Sequence, residues 1–138
     1  QGNVIPNLSI QGHLAAGVPG TVDGMVKAHQ KYGSLPWEKL VQPAVDLAIK
    51  GVALTEKEAN GLNYSQSLFR QFNDSTNAFI RNIAWKAGDL WVQADLGQTL
   101  MRIRDQGRAG FYEGETARLL VARAQIATAL LGESRMHS

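Results

Sequence analysis

Apolar positions along this chain fall into short blocks separated by glycine, proline and polar clusters, and the spacing within each block predicts its structure. His13–Val18 (HLAAGV) is a brief apolar run bounded by Gly12 and Pro19, the pattern of a short buried strand. Val22, Met25, Val26 and His29 then recur at helical spacing, with Thr21 placed to cap that helix and Gly33 to stop it in a left-handed conformation. Pro36 suits a first helical turn, but the ring of Pro43 would collide with the carbonyl of Lys39 in a continuous helix. The pattern therefore predicts a short turn at 36–41 and a helix at 43–50, ended by Gly51.

Thr55-Glu56-Lys57-Glu58 is a capping box, in which the Thr55 hydroxyl and the Glu58 carboxylate each satisfy an orphan amide of a first helical turn. Ala59, Leu62, Phe69 and Phe72 mark the inner face of one helix running to about 72, followed by a turn at Asn73-Asp74-Ser75. Residues 78–85 (AFIRNIAW) are rich in strand formers and read as an extended segment. A turn at Lys86–Asp89 precedes Leu90-Trp91-Val92. Asp95 is placed to cap a helix that carries Leu96, Leu100 and Ile103 and ends at Gly107. A last helix runs from about Glu115 to Leu130, with Leu119, Leu120, Ile126, Ala127 and Leu130 as its apolar positions. The expected fold is mainly α with one or two short strands, and it contains no internal repeat or linker.

Composition narrows this picture. With 44% apolar and 19% charged residues in 138, the chain has the make-up of a folded segment of single-domain size. That length leaves no room for a two-layer catalytic domain plus a substrate domain. There is no cysteine, hence no disulfide and no thiolate metal site. The net charge of +2 makes no strong field. Arg102, Arg104, Arg108, Arg118 and Arg123 cluster late in the chain, but Asp105, Glu113 and Glu115 interrupt them and no aromatic ladder accompanies them. They read as a solvated helix face and not as a nucleic-acid stripe. Residues 1–22 carry no charged side chain, yet Pro6, Gly12, Gly17, Pro19 and Gly20 break them up, so they form neither a signal peptide nor a membrane span. The first residues, Gln-Gly-Asn-Val, read like the interior of something larger.

Local chemistry is sparse. Gly17-Val-Pro-Gly-Thr21 is a glycine-rich turn leading into a helix, but no lysine follows at the spacing of a phosphate loop, and Gly17, Gly20 and Gly24 miss the dinucleotide fingerprint. It reads as a tight corner. His13, His29 and His137 are too dispersed for a local metal pair, and His29 reads as a half-buried packing residue. No G-x-S-x-G elbow is present. Asp23, Asp46, Asp89 and Asp95 fall at predicted turns or helix starts, where capping accounts for them. Trp37, Trp85 and Trp91 read as core or interface anchors. The residues themselves nominate no catalytic, substrate-binding, cofactor or metal site.

The block His13-Leu-Ala-Ala-Gly-Val-Pro-Gly-Thr-Val-Asp-Gly24 resembles the gamma-glutamyltranspeptidases, also called gamma-glutamyltransferases. The resemblance continues in order through Tyr32–Trp37 (YGSLPW), Leu40-Val41-Gln42-Pro43-Ala44, Leu47-Ala48 and Gly51. It extends to Gly88-Asp89, Val92-Gln93, Leu96, Leu100 and Phe111-Tyr112-x-Gly114, covering residues 1–122 and leaving 123–138 as a divergent tail. It implies a helical segment of an αββα N-terminal nucleophile hydrolase. In such enzymes a precursor cleaves itself, and the threonine freed at the start of the small subunit forms an acyl-enzyme with the gamma-glutamyl group of glutathione-like amides. Water or an amino acid then takes the acyl group. The nucleophile motif contains a Thr-Thr pair, which this sequence lacks, and the arginine that grips the substrate lies upstream of the V-P-G block, where only uncharged residues stand here. No family catalytic residue maps onto the chain.

The resemblance implies partners in the remainder of the large subunit and in the small subunit, no cofactor, and a periplasmic, secreted or cell-surface parent. Leu62, Phe69, Leu96, Leu100 and Leu120 are expected to form inner faces, and an isolated segment would pair with itself through such faces. The expectation is thus an inactive piece of a gamma-glutamyltransferase large subunit. The alternative is an independent helical binding or scaffold module.

Overall fold

A computed structural model describes residues 15–73 and 77–135, with side chains through residue 124. Among these, helices α1 (Thr21–Tyr32) and α2 (Trp37–Lys50) lead to strand β1 (Val52–Ala53), then to α3 (Glu56–Tyr64) and α4 (Gln66–Phe72). Strand β2 (Leu90–Trp91) precedes α5 (Ala94–Gln106), α6 (Ala109–Tyr112) and α7 (Gly114–Arg135). The architecture is mainly helical with one small antiparallel ribbon, in which Val52 pairs with Trp91 and Ala53 with Leu90. The strand expected at His13–Val18 is not formed in its described part: Ala15–Val18 contains no strand, and Val18 is 97% exposed. His13 and Leu14 lie outside the described residues.

α1 begins as its spacing predicts, but Thr21 is its first helical residue and Gly20 its N-cap, with no side-chain cap of its own. Gly33 ends the helix in an extended conformation (φ −71°), not a left-handed one. Glycine is required there by close approach, since a Cβ would run into the ring and carbonyl of His29. α2 is a single helix through Pro43, not a turn followed by a helix. A mid-helix proline costs about 3 kcal/mol. Two valines on the inner face, Val41 and Val45, are buried, and such burial contributes about 1.5–3 kcal/mol each. Packing outweighs the missing hydrogen bond. Gly51, at φ +83°, stops the helix, with Leu90 and Val92 too close to admit a Cβ.

The capping box at Thr55–Glu58 is formed: Glu58 N–H donates to Thr55 Oγ1 at 3.3 Å and Thr55 N–H to Glu58 Oε2 at 2.8 Å. The helix expected to run to 72 is bent at Ser65 into α3 and α4, although Ser65 N–H and Phe69 N–H keep their helical acceptors Gly61 and Ser65. The described part of the Asn73-Asp74-Ser75 turn is a bend at Asn73, and Asp74 and Ser75 lie outside the described residues.

Residues 78–85 form no strand. Side chains of the preceding helices, and Trp91, take the place of a neighbouring strand. Gln66 Nε2 donates to the Phe79 carbonyl at 2.6 Å, Arg70 to that of Arg81 at 2.6 Å, and Trp91 Nε1 to that of Ala78 at 2.9 Å. Asn63 bonds both backbone groups of Trp85, at 2.9 and 2.8 Å. This draws Trp85 into a small core with Leu54 and Ala59, flanked by Leu62 and Trp91. Its indole N–H is buried without an acceptor among the described residues.

α5 starts one residue before Asp95, with Gln93 as N-cap, and the Gln93 backbone N–H donates to the Ala48 carbonyl in the last turn of α2. Asp95 is a first-turn acid and not the cap. α5 ends at Gly107 (φ +57°), as its spacing predicts. The short α6 was not foreseen. It folds back so closely that a Cβ on Gly110 would overlap the Arg102 backbone. α5 packs on α2 through Ile103 and Gly97, the latter lying against Ile49 and Ala48. Of the five positions expected to face inward, Leu62, Phe69 and Leu100 are half-buried, whereas Leu96 and Leu120 remain 43% and 46% exposed.

Candidate functional site

The glycine-rich corner Gly17–Gly24 and the Phe111-Tyr112 block, far apart in sequence, meet in space. An α-helix leaves its first amides without intrahelical acceptors, and Gly20 offers no side chain to receive one. Tyr112 supplies it from α6. Asp23 N–H donates to the Tyr112 hydroxyl at 3.3 Å, while that hydroxyl donates to the Pro19 carbonyl at 2.6 Å. One phenol thus caps α1 and fixes the turn before it.

Charge reinforces the contact. Arg108 Nε lies 2.8 Å from Asp23 Oδ1, and Lys27 Nζ lies 2.8 Å from Oδ2. The Lys27 ammonium, and then the Arg108 guanidinium, hold the Asp23 carboxyl below its ordinary range. The Arg108 guanidinium also sits 4.9 Å from the centroid of the Tyr112 ring. Behind this latch, Arg102 Nε donates to Thr116 Oγ1 at 2.8 Å, and the buried Thr116 hydroxyl donates to the Gly110 carbonyl at 2.8 Å. These bonds lock the corner between α5, α6 and α7. Between the turn and α7 lies a groove of about 520 Å³, walled by Ala16, Pro19, Phe111, Ala117, Leu120 and Val121 among others.

The remaining candidate residues serve structure. His29 is half-buried, its Nε2 2.7 Å from the Leu35 carbonyl and its ring edge-on to Trp37. His13 and His137 lie outside the described residues. Asp46 lies in the second half of α2, not at a helix start, because the helix is continuous; it pairs with Gln42 and Lys50. Asp89 closes its turn on the Lys86 amide and pairs with Arg81. Trp37 donates to the Ile103 carbonyl at 2.9 Å, joining α2 to the end of α5. The arginines are not simply a solvated face: Arg104 reaches Gln42 on α2 as well as Asp105, and Arg102 and Arg108 make the ties above. Sequence reasoning missed Tyr112 as a cap. The available signal was Gly20, an N-cap residue without a side chain ahead of a helix.

Comparisons with known proteins place the chain in a family. The family profile described as Gamma-glutamyltranspeptidase matches residues 1–134. The chain belongs to the gamma-glutamyltranspeptidase family. It is 46% identical over 125 residues to a glutathione hydrolase proenzyme of Pseudomonas aeruginosa, an alignment covering 91% of this chain and 22% of that protein. The fold matches the crystal structure of Helicobacter pylori gamma-glutamyltranspeptidase with a TM-score of 0.79 at 41% identity, over 86% of this chain and 34% of that one. It also matches the Bacillus anthracis transpeptidase CapD, with a TM-score of 0.72 at 35% identity, over 91% of this chain and 41% of that one. The helices described here are accordingly a segment of the N-terminal nucleophile hydrolase fold of this family, and the chain spans about a fifth of the length of curated relatives. Among the described residues no helix is long and apolar enough to cross a membrane.

Proposed function

We propose that this chain is an internal segment of the large subunit of a gamma-glutamyltransferase or glutathione hydrolase, and that it is inactive alone. The observation that carries this reading is the family match across residues 1–134, set beside a relative of which the chain covers 22%. The absence of any Thr-Thr pair in the sequence supports it, because the nucleophile then belongs to another part of the polypeptide. In the complete protein, the N-terminal threonine of the small subunit attacks the gamma-glutamyl carbonyl and its free amine takes the hydroxyl proton. The acyl-enzyme passes its gamma-glutamyl group to water or an amino acid. This segment contributes no catalytic or substrate-binding side chain and no cofactor ligand. Its partners are the rest of the large subunit and the small subunit, and the parent works in the periplasm, outside the cell or at its surface.

The latch at Tyr112 gives the segment its role, which is to hold the glycine-rich corner rigid within the larger fold. Separated from its partners, the chain exposes Leu40, Leu47 and Leu96 and pairs with itself through such apolar helix faces. The test is expression of the longer polypeptide that contains these residues. Autocleavage into two subunits, with threonine at the new N-terminus, is the expected result. A longer product that stays intact and carries no Thr-Thr motif would reject the reading and favour a helical binding module.

A further inference from the structure

Among the described residues, every asparagine side chain but one is engaged. Asn63 Nδ2 donates to the Trp85 carbonyl and Asn63 Oδ1 accepts from the Trp85 amide. Asn73 donates to the Phe69 carbonyl, Asn77 accepts from the Phe79 amide, and Asn82 accepts from Arg70. Asn60 is the exception: it stands exposed on α3, and its carboxamide has no hydrogen-bond partner. It is also the one asparagine in the sequence that is followed by glycine. Gly61 has no side chain to shield its backbone nitrogen, and the space a Cβ would take is open.

We propose that Asn60-Gly61 is a site of spontaneous deamidation, gated by the opening of α3, and that the product releases Trp85. Hydroxide takes the Gly61 amide proton, and the nitrogen attacks Asn60 Cγ. The new C–N bond closes a succinimide, the Cγ–Nδ2 bond breaks, and ammonia leaves with a proton from water. Water then opens either imide carbonyl, leaving aspartate or isoaspartate at position 60. The reaction needs no enzyme and no partner.

α3 sets the rate. Closing the five-membered ring needs a backbone angle at Asn60 outside the helical range, so the reaction waits for the helix to open. α3 has only nine residues and buries only Ala59. Helices of that length are marginal without tertiary support, and an interior glycine weakens them further. Its restraints are the capping box at Thr55–Glu58 and the bonds from Asn63 to Trp85. Isoaspartate adds a methylene to the backbone between Ala59 and Asn63. The Ala59 contact in the core and the two Asn63 bonds to Trp85 can then no longer be kept together. Aspartate instead places a charge one turn beyond Glu56, and like charges at that spacing weaken a helix.

The test ages the purified 138-residue chain, shown to be folded by its helical circular dichroism, in mildly alkaline buffer with and without denaturing urea. Aspartate and isoaspartate at position 60 are followed by fragmenting the tryptic peptide 58–70. Conversion at Asn60 ahead of the other described asparagines is expected, at least about tenfold slower without urea than with it. Thr55→Ala should speed the native reaction about fivefold, the usual worth of an N-cap written as a population ratio. Glu58→Ala repeats that comparison if Thr55→Ala melts α3 outright. Gly61→Ala, which meets no neighbour, should suppress conversion, and its Trp85 amide should stay slow to exchange while that of the aged wild type speeds up. Equal rates with and without urea, or a native rate indifferent to loss of the cap, would overturn the gate. A native chain that keeps Asn60 intact while another described asparagine converts would overturn the site. An aged chain with unchanged Trp85 exchange would overturn the release.

Discussion

Tyr112 shows how a single residue can do what its neighbours in sequence cannot. The N-terminus of α1 lacks a local cap, and the phenol of a distant helix replaces it while also holding Pro19. Removing only the hydroxyl, by Tyr112→Phe, should keep the ring contacts and cost about 1 kcal/mol, the usual worth of a helix cap. Urea unfolding measures that loss, and amide exchange should show α1 fraying from its first turn; an unchanged midpoint would refute the capping role. Neither block was hard to notice in the sequence, since both belong to the family resemblance. Their contact was not legible, because a phenol reaching across the fold leaves no periodic trace. Gly33 teaches a related lesson. Glycine at a helix end suggested a left-handed stop, but the residue is extended and is glycine because the His29 ring occupies the space of a Cβ.

At the scale of elements, local rules held where no tertiary contact opposed them. The capping box of α3 formed as its four residues predict. Glu58 there is held below the usual carboxylate range, first by the Thr55 backbone amide and then by the Thr55 hydroxyl. A depressed folded pKa stabilises the fold above the unfolded value near 4.5 and ceases to do so as pH falls through the folded value. Wild type should therefore be more stable than Glu58→Gln near neutrality, and thermal melts should show the gap closing as the medium becomes strongly acidic. A gap independent of pH would contradict this assignment.

Tertiary packing overrode the local rule at Pro43. The helix continues through it because Val41, Val45 and Ala48 line one face against α5. Pro43→Ala should restore the bond to the Lys39 carbonyl and stabilise the chain by about 2 kcal/mol, after allowing for a looser unfolded state. A lowered denaturation midpoint would show that the proline is needed for the helix geometry. Residues 78–85 failed as a strand for a different reason. Their composition is that of a strand, but Asn63, Gln66, Arg70 and Trp91 satisfy their backbone one group at a time. Strand propensity carries no information about such partners.

The whole molecule reads as a part. Its ties are local and specific, yet Leu40, Leu47, Leu96, Leu119 and Leu120 all stay substantially exposed. The sequence pattern marks Leu96 and Leu120 as inward-facing, whereas the structure leaves them 43% and 46% exposed. Sedimentation velocity on the isolated chain should show reversible self-association that strengthens with concentration, whereas a clean monomer throughout would indicate that its apolar faces need no cover. The family was legible from collinear blocks, and the comparisons extend the match to residue 134. The central claim is that this segment belongs to an amide-cleaving acyltransferase but holds none of its catalytic groups. The most direct measurement is release of p-nitroaniline from gamma-glutamyl-p-nitroanilide by the purified 138-residue chain and by the longer polypeptide after autocleavage. Turnover by the processed longer polypeptide and none above background by the chain alone is the predicted result, and turnover that co-purifies with the 138 residues would contradict it.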